Sequence, residues 1–80
     1  MLWLKIKNVG YLKVKDISYV GEVSLIDFDE YTNKNLYGFE IVIGGELLPL
    51  VYDSKEKAIK VNEEIKKQLL MSAKIIKLEI

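Results

Sequence analysis

Six side chains near the start of the chain carry its clearest chemical pattern. Trp3, Lys5, Lys7, Tyr11, Lys13 and Lys15 alternate with apolar residues such as Leu2, Leu4, Ile6, Leu12 and Val14. Alternation of period two puts one set on one face of paired strands. Four ammonium groups and two aromatic rings on one surface could bind an anion, nucleotide or single strand. The lysines would meet phosphate and the rings would stack on bases. The same lysines could instead guard a sheet edge against pairing with another chain. A turn at Asn8-Val9-Gly10 would pair Lys7 with Tyr11, Lys5 with Lys13 and Trp3 with Lys15. Two lysines facing each other repel unless an opposite charge lies near. Glu22, on a neighbouring strand, could supply it.

A second group is acidic: Asp27, Asp29 and Glu30, followed by Asn33, Asn35 and Glu40. Oxygen ligands at short spacing raise the question of calcium. Laid on the EF-hand loop from Asp29, Glu40 falls on the closing position. Tyr31, however, takes a ligand position, and Lys34 takes the place of the required glycine. The segment at 27–35 therefore reads as a solvated polar loop. Asp27 and Asp29 could form an acid–base pair, but no neighbouring residues suggest a substrate cleft. Histidine and cysteine are both absent from the chain. Their absence removes the commonest general base and the strongest common nucleophile. It also excludes imidazole and thiolate metal sites and disulfides. Gly44-Gly45 lacks the Lys-Ser/Thr that completes a phosphate loop. The expectation is a protein that is not an enzyme, with no cofactor and no metal.

A third group is apolar surface without an evident partner. Val42, Leu47 and Val51 fall on the second face of the sheet, and Ile75, Ile76, Leu78 and Ile80 crowd the tail. One helix cannot cover both faces of a five-stranded sheet. Either the sheet curls around the helix, or these residues form an interface with a second copy or a protein partner.

The elements that must position these groups follow from periodicity. Residues 2–7 and 11–15 form the first hairpin. Residues 17–28 form a long third strand, bulged or bent near Gly21. Residues 36–43 and 46–52 flank Gly44-Gly45, a two-residue hairpin signal. That hairpin pairs Ile43 with Glu46, Ile41 with Leu48, Phe39 with Leu50 and Tyr37 with Tyr52, giving an apolar core face. Pro49 cannot donate to a ladder and marks an edge strand or a bulge. Asp53 with Glu56 fits a capping box, and Ser54 is an equally good cap. Ala58, Val61, Ile65 and Leu69 then form a helical stripe over 54–72, widened by Ile59 and Leu70. Residues 73–80 fit either more helix or a sixth strand. The fold class is α+β: a curved antiparallel sheet of about five strands, then one C-terminal helix, in a single domain over 1–80.

Size and charge bound the rest. The chain has 80 residues and no net charge, with lysine as its sole cationic side chain. A chain this short buries about 60–65% of its unfolded surface, a thin margin that partner chains often widen. Zero net charge and no arginine argue against nucleic acid. No apolar stretch approaches a membrane span, and no secretory signal is evident, so a cytoplasmic location is expected. Charge is segregated along the chain. Residues 1–20 sum to +3, residues 21–53 to −6, and residues 54–80 to +3. Such polarity suits contacts with itself or a partner, and it also serves solubility.

The order of strands ending in one helix resembles a reduced pleckstrin-homology-like domain. The opening Trp3-Leu4-Lys5-Ile6, and Tyr52-Asp53-Ser54 leading into Glu56 and Ala58, are also similar to short uncharacterised bacterial and phage proteins. The resemblance implies binding or scaffolding. Together these features point to a small interaction module that self-associates. The other reading is a binder of anions through the lysine–aromatic hairpin.

Overall fold

A computed structural model gives the fold and describes residues 3–72. The tail, with Ile75, Ile76, Leu78 and Ile80, lies outside the described residues, as does Leu2.

The chain opens with a hairpin of β1 (Trp3–Ile6) and β2 (Gly10–Lys13). Its register differs from the one expected by two residues: Trp3 faces Lys13, Leu4 faces Leu12, Lys5 faces Tyr11, and Ile6 faces Gly10. The turn explains the slip. Val9 N–H donates to the Ile6 carbonyl at 3.0 Å, and Asn8 takes the left-handed conformation with φ 68°. Asparagine tolerates that region, so Gly10 is released from the turn and opens β2. A slip of two keeps every side chain on its expected face. Leu4 and Leu12 still pack on the core.

The expected second strand stops at Lys13. Val14–Asp16 coil into one 3-10 turn that buries Val14. The expected strand over 17–28 is divided into β3 (Ile17–Val20) and β4 (Ser24–Asp29). Both pair antiparallel with β5 (Lys34–Ile43), whose other side pairs fully with β6 (Glu46–Tyr52). The second sheet is therefore three strands wide, with β5 at its centre. β3 and β4 lie end to end along one edge. Residues 21–23 interrupt that edge, yet Gly21 N–H still donates to the Glu40 carbonyl at 2.7 Å.

The hairpin of β5 and β6 has the register expected, from Ile43 opposite Glu46 to Tyr37 opposite Tyr52. Gly44 and Gly45 have φ of 58° and 81°, a turn that glycine enters without steric cost. Gly38 on β5 is needed for a different reason. A Cβ there would run into the Leu50 carbonyl, with the Ile26 side chain pressing from above.

Helix α1 (Lys55–Ser72) crosses one face of this sheet, packing on β3, β5, β6 and the 3-10 turn. Ser54 is the cap, its Oγ accepting from the Lys57 N–H at 3.4 Å. Asp53 pairs with the Lys57 side chain instead of closing a capping box. Ala58 and Ile65 are buried, with Val61 and Leu69 packed beside the core. Ile59 and Leu70 do not widen the stripe, because both face outward. The core joins Ile6 from the hairpin, Ile17 from β3, Phe39 and Ile41 from β5, Leu50 from β6 and Ile65 from α1. The layout is α+β with two antiparallel sheets, neither of them closed, and one C-terminal helix.

Candidate functional site

Three surfaces compete for a role. The first is the lysine–aromatic face of the β1–β2 hairpin. Trp3 and Tyr11 are 52% and 65% exposed. The slipped register opposes Lys5 and Lys13 with a ring each instead of with one another. Lys13 Nζ lies 5.3 Å from the Trp3 ring centre, and Lys5 Nζ lies 5.8 Å from that of Tyr11. The expected Lys5–Lys13 opposition does not occur. Glu22 is not its counter-charge either, since it pairs with Lys66 of α1 at 3.0 Å. The strands thus bring Trp3, Lys5, Tyr11 and Lys13 together. Lys7 sits in the turn and Lys15 in the 3-10 turn, both exposed.

The second surface is a cleft of about 730 Å³ that the sequence did not suggest. Its walls are the hairpin turn, the end of β6 and the first turns of α1. Lys7, Lys57 and Lys60 line it, along with Tyr52 and Asp53. Asp53 is held by Lys57 at 3.1 Å and by Lys34 at 3.9 Å. The Lys57 hydrogen bond and charge, with Lys34 adding, keep its carboxyl below the usual aspartate range. Burial pushes the Tyr52 hydroxyl above the usual tyrosine range. The residues that build this cleft are far apart in sequence, so no local spacing announces it.

The third surface is the part of the larger sheet that no other described residues cover. On the face away from α1, Tyr19, Leu47 and Val51 are exposed and Val42 is half-buried. Val42 faces Tyr19 on one side and Leu47 on the other, so the three form one row across the sheet. This row contains two of the three sheet residues expected at an interface. Val51 lies further along β6, opposite Gly38.

The sheet also extends into an arm, on which Ile26 shares the face of Val42 while Leu25 and Phe28 lie on the opposite face, across from Tyr37 and Asn35. The expected loop at 27–35 is instead a hairpin, with β4 continuing to Asp29 and β5 beginning at Lys34. Asp29 makes the turn: its carboxylate accepts from Tyr31 N–H at 3.0 Å and from Thr32 Oγ1 at 2.9 Å. Asn33 closes it with φ 55°. Asp27 accepts from the Phe28 N–H at 2.7 Å. These acids are committed to the local backbone, and no group of three or more acidic side chains is placed to hold a metal among the described residues. Leu25, Ile26 and Phe28 on β4 are all exposed, and Tyr31 at the tip is fully so. Alternating Asp and Asn concealed this arm in the sequence, because those residues also mark loops.

Among the described residues no helix is long and apolar enough to cross a membrane. Comparison with known proteins finds no matching family, no matching curated protein and no matching solved structure.

Proposed function

We propose that this protein is a non-enzymatic interaction module that associates with further copies of itself. One observation carries the reading: apolar side chains stay exposed both on the sheet face away from α1 and on the β4–β5 arm, with no layer over them among the described residues. Leu25, Ile26, Phe28, Leu47 and Val51 are exposed in a chain whose core is small. Exposed apolar surface of this kind marks interaction sites in folded proteins. A second copy suits the surface electrostatically. Apart from β3, the larger sheet and its arm lie in the segment of net −6, and the flanking segments carry the compensating lysines. Light scattering over a concentration series tests this. The mass should rise reversibly above the 9.2 kDa of one chain. A mass that stays at one chain through millimolar concentration overturns the reading.

Anion binding is the second reading, and the cleft favours it over the open hairpin face. Lys7 and Lys60 line the cleft without an ion-pair partner among the described residues. Titration with inorganic phosphate and a mononucleotide should shift the amide resonances of Lys7, Lys60 and Tyr52. Unmoved resonances at low salt contradict it.

A further inference from the structure

We infer that the partner surface for the β4–β5 arm is the lysine–aromatic face of the β1–β2 hairpin on a second copy. This rests on the self-association proposed above and specifies how it occurs. The two surfaces are complementary in both charge and apolar content. The arm carries Asp27 and Asp29 on one face, opposite Leu36 and Lys34, with Ile26 exposed on that same face and Glu30 and the exposed Tyr31 at its tip. The hairpin carries Lys5, Lys7 and Lys13 with no acid on either strand, and it exposes Trp3 and Tyr11.

Both surfaces are also open to hydrogen bonding. β1 and β2 form a two-stranded sheet, so among the described residues each has one unpaired edge. Among the described residues β4 pairs with β5 on one side only. Its sequence, SLIDFD, has no proline or lysine to blunt that edge. On the opposite side of the sheet, β6 has Pro49, which cannot donate. Two β4 strands are poor partners for each other, because Asp27 and Asp29 would bring four like charges together. A β4 strand beside the hairpin sets carboxylates against ammonium groups instead. The contact joins unlike surfaces, so it closes as a reciprocal dimer or a ring, or it extends as a chain of copies.

Charge exchange tests this. One variant carries Lys5→Glu with Lys7→Glu; the other carries Asp27→Lys with Glu30→Lys. All four side chains are exposed, and circular dichroism checks that both variants keep the fold. Sedimentation velocity should show each variant alone weakened about tenfold or more in apparent affinity. Mixing the two should restore association toward that of the unaltered protein. If the unaltered protein associates and both variants associate equally well alone, this mode is overturned and self-association stands. If the variants are weakened but the mixture is not restored, the pairing of arm with hairpin is likewise overturned. If the unaltered protein stays a single chain, self-association fails and this mode with it.

Discussion

Asn62 Nδ2 donates a 2.8 Å hydrogen bond to the Gly21 carbonyl, joining the middle of α1 to the break between β3 and β4. Gly21 N–H donates to the Glu40 carbonyl at 2.7 Å, so this one residue ties helix, edge and central strand together. Asn62 is only 4% exposed and is the sole buried polar side chain among the described residues. One helical turn later, Lys66 holds Glu22 at 3.0 Å. The break in the edge is thus a fixed junction. It leaves the Gly21 carbonyl free to meet the helix and lets β4 leave the core as the arm.

Asn62→Ala should destabilise the protein by roughly 1–3 kcal/mol, because it orphans a buried carbonyl. Asn62→Asp should cost more, since it adds a buried charge facing an acceptor. Urea unfolding measures both. A loss within about 0.5 kcal/mol for each, as at an ordinary surface site, would show that the junction is not a structural anchor.

Gly38→Ala should cost about 1–3 kcal/mol, the range for overpacking a tight site. The added methyl meets the Leu50 carbonyl, which belongs to the backbone of a paired strand and cannot move aside cheaply. Gly21→Ala should cost less, because its Cβ would approach the Glu40 carbonyl at 3.1 Å. Reversal of that order in thermal unfolding would contradict the packing described.

The first hairpin should show contacts of Trp3 with Lys13 and of Lys5 with Tyr11 in nuclear Overhauser spectra. Lys13→Ala should lower stability by about 0.5–1 kcal/mol, the range for an exposed cation–π pair. Contacts of Trp3 with Lys15 in place of Lys13 would restore the register that the sequence alone suggests.

That register marks where sequence reasoning reached its limit. Gly44-Gly45 admits one tight turn, so the second hairpin was legible residue by residue. Asn8 and Gly10 can both take a positive φ, so two turns of the same parity compete in the first hairpin. Face assignments survive the ambiguity; cross-strand partners do not. The edge strand was legible as a long strand kinked at Gly21. Its division depends on Asn62, 41 residues away. The arm was hidden because Asp29 and Asn33 make a hairpin turn with loop-like residues. Of the candidate site residues, Trp3, Lys5, Tyr11 and Lys13 share a face as expected, and Leu47 and Val51 are exposed as expected. The cleft was not legible, since β6, α1 and the first turn build it jointly.

Stability should fall at both ends of the pH scale, for separate reasons. The Lys57 hydrogen bond lowers the Asp53 pKa. Its contribution is therefore full above the ordinary aspartate value and lost as pH falls through the lowered folded value. Burial raises the Tyr52 pKa. Its contribution is full below the ordinary tyrosine value and lost as pH rises through the raised folded value. Asp53→Asn should flatten the acid limb of urea midpoints plotted against pH, and Tyr52→Phe the alkaline limb. Limbs unchanged by these substitutions would assign the pH dependence to other groups.

Hydrogen exchange at two protein concentrations tests the central claim most directly. If a second copy covers the arm, the β4 amides from Ser24 to Asp29 should exchange more slowly in concentrated than in dilute solution. The α1 amides, on an element outside the proposed contact, should exchange at the same rate in both. Equal rates along β4 at both concentrations would contradict the account.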